Sequence, residues 1–461
     1  MAIKKYIGNR AFYKMTLSVA LPIMIQNFIT NFVSMLDNLM VGSLGTEQMS
    51  GVSVVNQLIF VFSLAIFGAL SGAGIFTAQF FGKGDDEGIR YTVRFKMIIS
   101  LLIFVVGTAV FLLFDSQLIG LFIHDVDPSC DLNATIDFAE SYLKVILWGL
   151  LPFTLSQAFS STLRETGETL APMLAGLAAV ITNCVFNYLL IFGKFGFPKL
   201  GVVGAAIATD ISRYVECIII IAYTFIKRSR FKYINGAFRS AYIPRPVLKQ
   251  ITIKGMPLLL NEFLWSSGMM LLSVAYSLHG LSVVAGYSIS STVMNLANIA
   301  FLSLGSSIGI IIGKILGSGN YEEAVDTDRK LIAFSVMLSI VTGIIVFLLG
   351  DKIPELYKTS ELSKEYAAYF IKACACFVPL DAFANASYYT IRSGGKTLVT
   401  FLFDSMFVLF LSVPTAFLLY YAAKLDIHII FPIVLSENIV KVIVGFILLK
   451  KRVWVNNLVS D

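Results

Sequence analysis

Asn183 and Asn187 stand four residues apart, so on a helix their side-chain amides share one face. Both fall inside an apolar run, where amide oxygens have no water to bond. Counting about 1.5 Å per residue inward from the outer ends of the apolar runs places Asp37 and Asn187 at roughly 8 Å, Thr209 at about 12 Å and Asn183 at about 14 Å. One carboxylate, two amides and a hydroxyl are hard oxygen donors, suited to Na⁺ or to a proton relay. Glu262 and Asp381 lie deeper, each about 21–23 Å from the same face, where a negative charge can attract a cation. A carboxylate at the centre of a membrane helix costs about 2.5 kcal/mol or more. Asp37, Glu262 and Asp381 have no basic residue within one turn, so each needs a cavity or a partner from another helix. Asp210 with Arg213, and Glu437 with Lys441, have the spacing of ion pairs within one helix. Asp404 is only about two turns from an inner helix end, close enough to reach water, and its role stays open.

The elements that must carry these residues follow from composition. Hydrophobic residues make up 57% of the 461-residue chain and charged residues 14%, against roughly 45–50% and 25% in soluble domains. Apolar runs long enough to cross a bilayer, about 20 residues each, recur near 15–42, 52–80, 93–114, 138–160, 170–192 and 201–226. A second set covers 251–277, 284–313, 331–350, 367–391, 397–420 and 427–449. The expected fold is therefore an all-α polytopic membrane protein of twelve transmembrane helices. It has an N-terminal six-helix bundle (1–226), a basic linker (227–250) and a C-terminal six-helix bundle (251–461).

The bundles are repeats. An offset of 235 residues aligns Pro22 with Pro257, Gly45 with Gly280, Gly51 with Gly286 and Gly74 with Gly309, and an offset of 228 aligns Leu163–Leu170 with Ile391–Leu398. An even number of spans per repeat implies a pseudo-two-fold axis along the membrane normal and a cavity between bundles, which suits alternating access. Placing the linker and both termini in the cytoplasm puts 25 basic residues inside and six in the opposite loops. The basic segments adjoin spans and carry no nucleic-acid fold signature, so anionic lipid headgroups are the expected partner and nucleic acid is not. The apolar run that follows the basic N-terminus is too long for a signal peptide and reads as an uncleaved first span.

Other chemistries lack their residues. Gly394-Gly395-Lys396-Thr397 imitates the end of a phosphate-binding loop, but Thr390 stands where that motif needs glycine. The three histidines, His124, His279 and His428, fall outside the spans or at an outer helix end, and nothing resembles a catalytic triad. Four of the five cysteines lie in spans and only Cys130 in an outer loop, so neither a disulfide framework nor a thiolate metal site is expected. The chain reads as a non-enzyme that needs no cofactor.

Several motifs together are similar to the multidrug and toxic compound extrusion (MATE) family. They are Asp37-x-x-Met-Val-Gly-x-Leu-Gly, Gln79-x-x-Gly, Arg164-x-x-Gly, Asn183-x-x-x-Asn187-Tyr and Pro198-x-Leu-Gly-Val-Val-Gly-Ala-Ala. The resemblance covers nearly the whole chain. It implies a secondary active antiporter of the cell membrane, a bacterial inner membrane, which acts as a monomer. Such a protein exports small organic, often cationic, drugs or toxic metabolites in exchange for Na⁺ or H⁺. It carries over a cation- or proton-coupling site to Asp37, Asn183, Asn187 and Thr209, of which Thr209 follows a loop of variable length. Glu262 and Asp381 match acidic positions of the NorM-like branch and become a cation or substrate site in the second half. A lipid-linked oligosaccharide flippase of the same superfamily is the alternative, and it would need an arginine cluster within the spans. Arg213 is the one arginine expected there.

Overall fold

The computed structural model describes residues 5–120 and 132–460. Among these residues there is no strand, and twelve long helices follow one another. They are α1 (Arg10–Gly42), α2 (Thr46–Lys83), α3 (Asp86–Leu113), α4 (Leu132–Glu165), α5 (Leu170–Phe192) and α6 (Val202–Ile226). The second series is α7 (Arg245–Ser277), α8 (Leu281–Gly317), α9 (Tyr321–Leu349), α10 (Glu361–Ser393), α11 (Thr397–Tyr421) and α12 (Ile427–Lys450). In hydrocarbon every backbone N–H and C=O must be satisfied within the segment, so apolar runs of this length form helices. Eleven of the twelve are long and apolar enough to span a membrane. The other, α6, is 25 residues long and carries Asp210, Arg213 and Glu216 within its apolar sequence. Residues 121–131, with His124 and Cys130, lie outside the described residues.

The regular ladder is interrupted at three places that matter below. A 3₁₀ turn at Leu147–Gly149 divides α4. Two wide π turns, Leu402–Met406 and Val408–Ser412, lie within α11. Glu437 joins two helical pieces of α12, Ile427–Ser436 and Asn438–Lys450.

The sequence repeat is also a repeat of backbone and packing. Gly84 and Gly319, one repeat apart, both turn the chain with positive φ, +77° and +80°, which glycine adopts without a Cβ clash. Gly51 lets α2 approach α4 so closely that a Cβ there would lie 2.8 Å from the Thr135 carbonyl oxygen and 3.0 Å from the Ala139 amide. Its repeat mate Gly286 lets α8 approach α10 equally, where a Cβ would meet Tyr366 at 2.6 Å and the Ala367 amide at 2.9 Å.

The chain forms two compact units, one of Met1–Met24, Ala78–Asp85 and Thr252–Asp461, the other of Ile25–Thr77 and Asp86–Ile251. The latter, the first-half unit, is cored by Val55, Phe62 and Ile66 of α2 with Ile146 and Leu150 of α4 and Ile191 of α5. In the second-half unit α10 packs against α8, α9 and α12, around Ile308, Ile312, Leu331 and Ile391.

The stretch after α6 is a folded strap of the first-half unit. Tyr233, Ile234 and Ala237 are buried, and Arg94 of α3 donates to the backbone carbonyls of Ala237 at 2.7 Å, Tyr242 at 2.8 Å and Gly236 at 3.0 Å. Burial pushes the Tyr233 phenol up to about 12, and its oxygen shares a 3.1 Å hydrogen bond with Thr166.

Candidate functional site

Both units hold candidate site residues. In the first-half unit, α1, α5 and α6 bring Asp37, Asn183, Asn187 and Thr209 together. Asn187 Nδ2 donates to Asp37 Oδ1 at 2.6 Å and to Asn183 Oδ1 at 3.0 Å, and Asn183 Nδ2 donates to Thr209 Oγ1 at 3.3 Å. Asn183 and Asn187 are 5% and 1% exposed, so these contacts are shielded from water. In this orientation Asn183 Oδ1 faces the Asp37 carboxylate, an unfavourable meeting of two acceptors. Turning the amide instead puts nitrogen 2.7 Å from Asp37 Oδ1 and leaves its oxygen to accept from Thr209 at 3.3 Å. Asn187 Oδ1 is buried and has no hydrogen-bond partner among the described residues. The cluster therefore has oxygen acceptors in surplus, the property of a site for a small cation or a transferable proton.

Tyr142 of α4, which the sequence did not single out, joins this cluster. Its hydroxyl donates to Asn56 Oδ1 at 3.4 Å and is a neighbour of Thr209. The ion pair expected between Asp210 and Arg213 is not among the salt bridges of the described residues. Arg213 instead lies over the Phe153 ring at 5.3 Å, and the Asp210 carboxylate packs on Gly149, where a Cβ would fall 2.0 Å from Oδ1. The missing side chain at Gly149 opens room for the carboxylate beside the 3₁₀ turn.

In the second-half unit Glu262 and Asp381 enter separate contacts, and no hydrogen bond or ion pair joins them among the described residues. Asp381 Oδ1 accepts from Asn438 Nδ2 at 2.8 Å, and Lys441 is its charged neighbour. Glu262 has Arg392 and Asp404 as charged neighbours, and the Arg392 guanidinium lies over the rings of Tyr389 at 5.4 Å and Tyr388 at 6.0 Å. Asp404 is tied down: Asn261 Nδ2 donates to its Oδ2 at 3.0 Å, and Asn261 Oδ1 accepts from the Ser405 amide at 3.3 Å. Asn261 thus satisfies a backbone donor in the wide turn of α11, where regular helical bonding is disturbed.

The second expected intrahelical pair, Glu437 with Lys441, is also replaced. Lys441 Nζ lies 3.8 Å from Asp404 Oδ1 on α11, and Glu437 Oε2 is buried without a partner among the described residues. Glu437 has helical backbone angles and leads directly into Asn438–Lys450, so the register to Lys441 is intact and the pair is replaced because Lys441 turns to Asp404. Arg164 and Arg392, beyond the apolar runs in sequence, occupy the last turns of α4 and α10.

Comparisons with known proteins match this architecture. The MatE family profile fits residues 22–189 and 257–422, one match in each repeat. The "Probable multidrug resistance protein NorM" of Thermotoga maritima is 28% identical over 403 residues, which covers 87% of this chain and 83% of that protein. A MOP superfamily transporter from Pyrococcus furiosus, whose report describes a reversed polarity of its binding pocket, has a TM-score of 0.86 at 21% identity, covering 98% of this chain and 97% of that one. An outward-facing multidrug resistance MATE family transporter also has a TM-score of 0.86, at 22% identity and with coverages of 98% and 97%. The structural likenesses show a shared fold, and the profile, matching both repeats over more than half of the sequence, assigns the chain to the MatE family of membrane transporters.

Proposed function

We propose that this MatE transporter is a secondary active antiporter, exporting organic, often cationic, drugs or toxic metabolites in exchange for Na⁺ or H⁺ by alternating access of its two bundles. The observation that carries this reading is the surplus of oxygen acceptors around Asp37, with Asn187 Oδ1 left unpartnered. An ion biases a two-state transporter only if it binds one state better than the other. A carboxyl on α1 whose hydrogen-bond partners stand on α5, themselves bonded to Thr209 of α6, meets that need, because a shift of α1 against α5 changes its ligands. Glu262 and Asp381 are proposed as a cation or substrate site in the second half.

The name of the Thermotoga relative supports drug export. The second-half cluster argues against flipping an anionic lipid-linked sugar: four acids, Glu262, Asp381, Asp404 and Glu437, stand there with two bases, Lys441 and Arg392. The excess of basic residues beside the linker and termini supports a cell-membrane protein with both termini cytoplasmic.

The test is ion movement evoked by substrate. Purified protein in vesicles loaded with a pH-sensitive dye receives an organic cation such as ethidium, with and without Na⁺. Transport of the dye against its gradient, driven by a counter-gradient of H⁺ or Na⁺, is the expected result. Dye movement only down its own gradient, with no ion moving in return, contradicts antiport.

A further inference from the structure

Lys441 is held differently from Lys96, the buried base of another ion pair among the described residues. Lys96 makes a close charge-assisted contact to Glu165, whereas the Lys441 ammonium stands 3.8 Å from Asp404 and makes no hydrogen bond to it. Its side chain is 12% exposed, and the Phe407 ring face lies 5.0 Å from Nζ. Asp381 of α10 is at hand as well, since Asn438, three residues before Lys441 on the same helix, donates to it at 2.8 Å. The two carboxylates are alike in one respect: an asparagine amide fixes one oxygen of each, Asn261 on Asp404 Oδ2 and Asn438 on Asp381 Oδ1. No side-chain hydrogen bond occupies the other oxygen of either among the described residues. Glu437 adds a further unpartnered acceptor.

The repeat shows that this arrangement is special to the second half. At an offset of 228, Lys441 matches Arg213, Asp381 matches Phe153 and Asp404 matches Gly176; at 235, Asn261 matches Gln26. In the first half the Arg213 cation rests on the Phe153 ring, and Gln26 lies against Gly176, where a Cβ would meet its amide at 3.2 Å. The same places in the second half hold carboxylates. A long cationic side chain that had one aromatic face to rest on thus gains two anionic seats.

We propose that Lys441 is a tethered competitor for the cation seat at Asp381: its ammonium rests on Asp404 while Asp381 holds a transported cation, and crosses to Asp381 when that cation leaves. This inference rests on the proposed cation site at Asp381. It makes Lys441 a positioning residue that sets how tightly, and how releasably, the second bundle holds its cargo. A weakly held ammonium near two carboxylates of equal charge is suited to such an exchange, because Asp404, the seat it leaves, is 27% exposed and can be solvated when vacated.

Binding of radiolabelled tetraphenylphosphonium, an organic monocation, to the purified full-length protein by equilibrium dialysis tests this, with size-exclusion profiles to establish folding. Asp404→Asn removes the resting seat, keeps Lys441 on Asp381, and weakens binding about tenfold. Asp404→Asn with Lys441→Met removes the competitor as well, leaves no unpaired charge on α11, and binds tighter than wild type. Lys441→Arg keeps a cation and stays within about threefold of wild type. A double variant that binds no tighter than Asp404→Asn alone overturns the competitor role. Asp381→Asn tests the reading beneath it: unchanged binding in that variant means that Asp381 takes no cation, whatever Lys441 does.

Discussion

Lys96→Met removes the cationic end of a fully buried side chain while keeping most of its length. Lys96 lies on α3, its side chain is 1% exposed, and its ammonium contacts Glu165 of α4, whose side chain is 15% exposed. It also lies 3.3 Å from Thr162 Oγ1. Gly74 of α2 leaves space for the Glu165 carboxylate, since a Cβ there would collide with it. In the Lys96→Met protein that carboxylate has lost its cation and keeps only its 15% exposure to water. Breaking one partner of a buried pair costs about 3–5 kcal/mol, and the small exposure of Glu165 points to the lower end, about 3 kcal/mol. Lys96→Met with Glu165→Gln removes both charges, so the double variant recovers most of that loss, leaving about 1 kcal/mol. Denaturation midpoints of the four proteins in the same detergent give the coupling energy directly. If Lys96→Met denatures at the wild-type midpoint, or if the double variant is as unstable as the sum of the single ones, the pair does not brace α3 against α4.

Other expectations follow from equally local contacts. Arg94→Gln removes charge-assisted hydrogen bonds to three strap carbonyls, each worth about 1.5–3 kcal/mol; trypsin then cuts after Arg228 or Arg230 at least tenfold faster than in wild type. Gly286→Leu drives a side chain into the Tyr366–Ala367 backbone of α10, so the protein aggregates or fails to reach the membrane, whereas Leu at Gly319, where a Cβ meets nothing, costs only the positive-φ strain of about 1 kcal/mol. Glu262→Gln keeps the shape and removes a mid-depth negative charge; it lowers efflux while membrane levels stay normal, and normal efflux would return Glu262 to a structural role.

The helices were legible because hydrocarbon leaves the backbone no alternative, so a run of apolar residues is nearly sufficient information. Even α6, with three charges, could be placed from its length and its position in the repeat. The first-half cluster was legible for a related reason: Asn183 and Asn187 must share a helix face, and depth counted from helix ends is shared by different helices. The second-half cluster was not, because its partners depend on departures from regular helix. Spacing pairs Glu437 with Lys441, but α11 presents Asp404 to Lys441 from a wide turn. Asn261 and Asn438 lie beside Glu262 and Glu437 in sequence, and two adjacent polar residues deep in an apolar run were a signal that the charged neighbour obscured. The role of Gly149 in lodging Asp210, and of Gly74 in lodging Glu165, could not be read, since a glycine does not announce which neighbour uses the space it leaves.

The central claim is that ion coupling runs through Asp37, and Asp37→Asn tests it most directly. The substitution keeps the side chain's size and its contact with Asn187, which donates to Asp37 Oδ1 at 2.6 Å, but removes the ability to exchange a proton or bind Na⁺ by charge. The measurement is dye accumulation in energised cells at matched expression, with substrate binding to the purified protein beside it. The account predicts loss of ion-driven efflux, with accumulation at the level of cells lacking the transporter, and substrate binding reduced far less. Efflux at the wild-type rate from Asp37→Asn would contradict it and place the coupling site elsewhere.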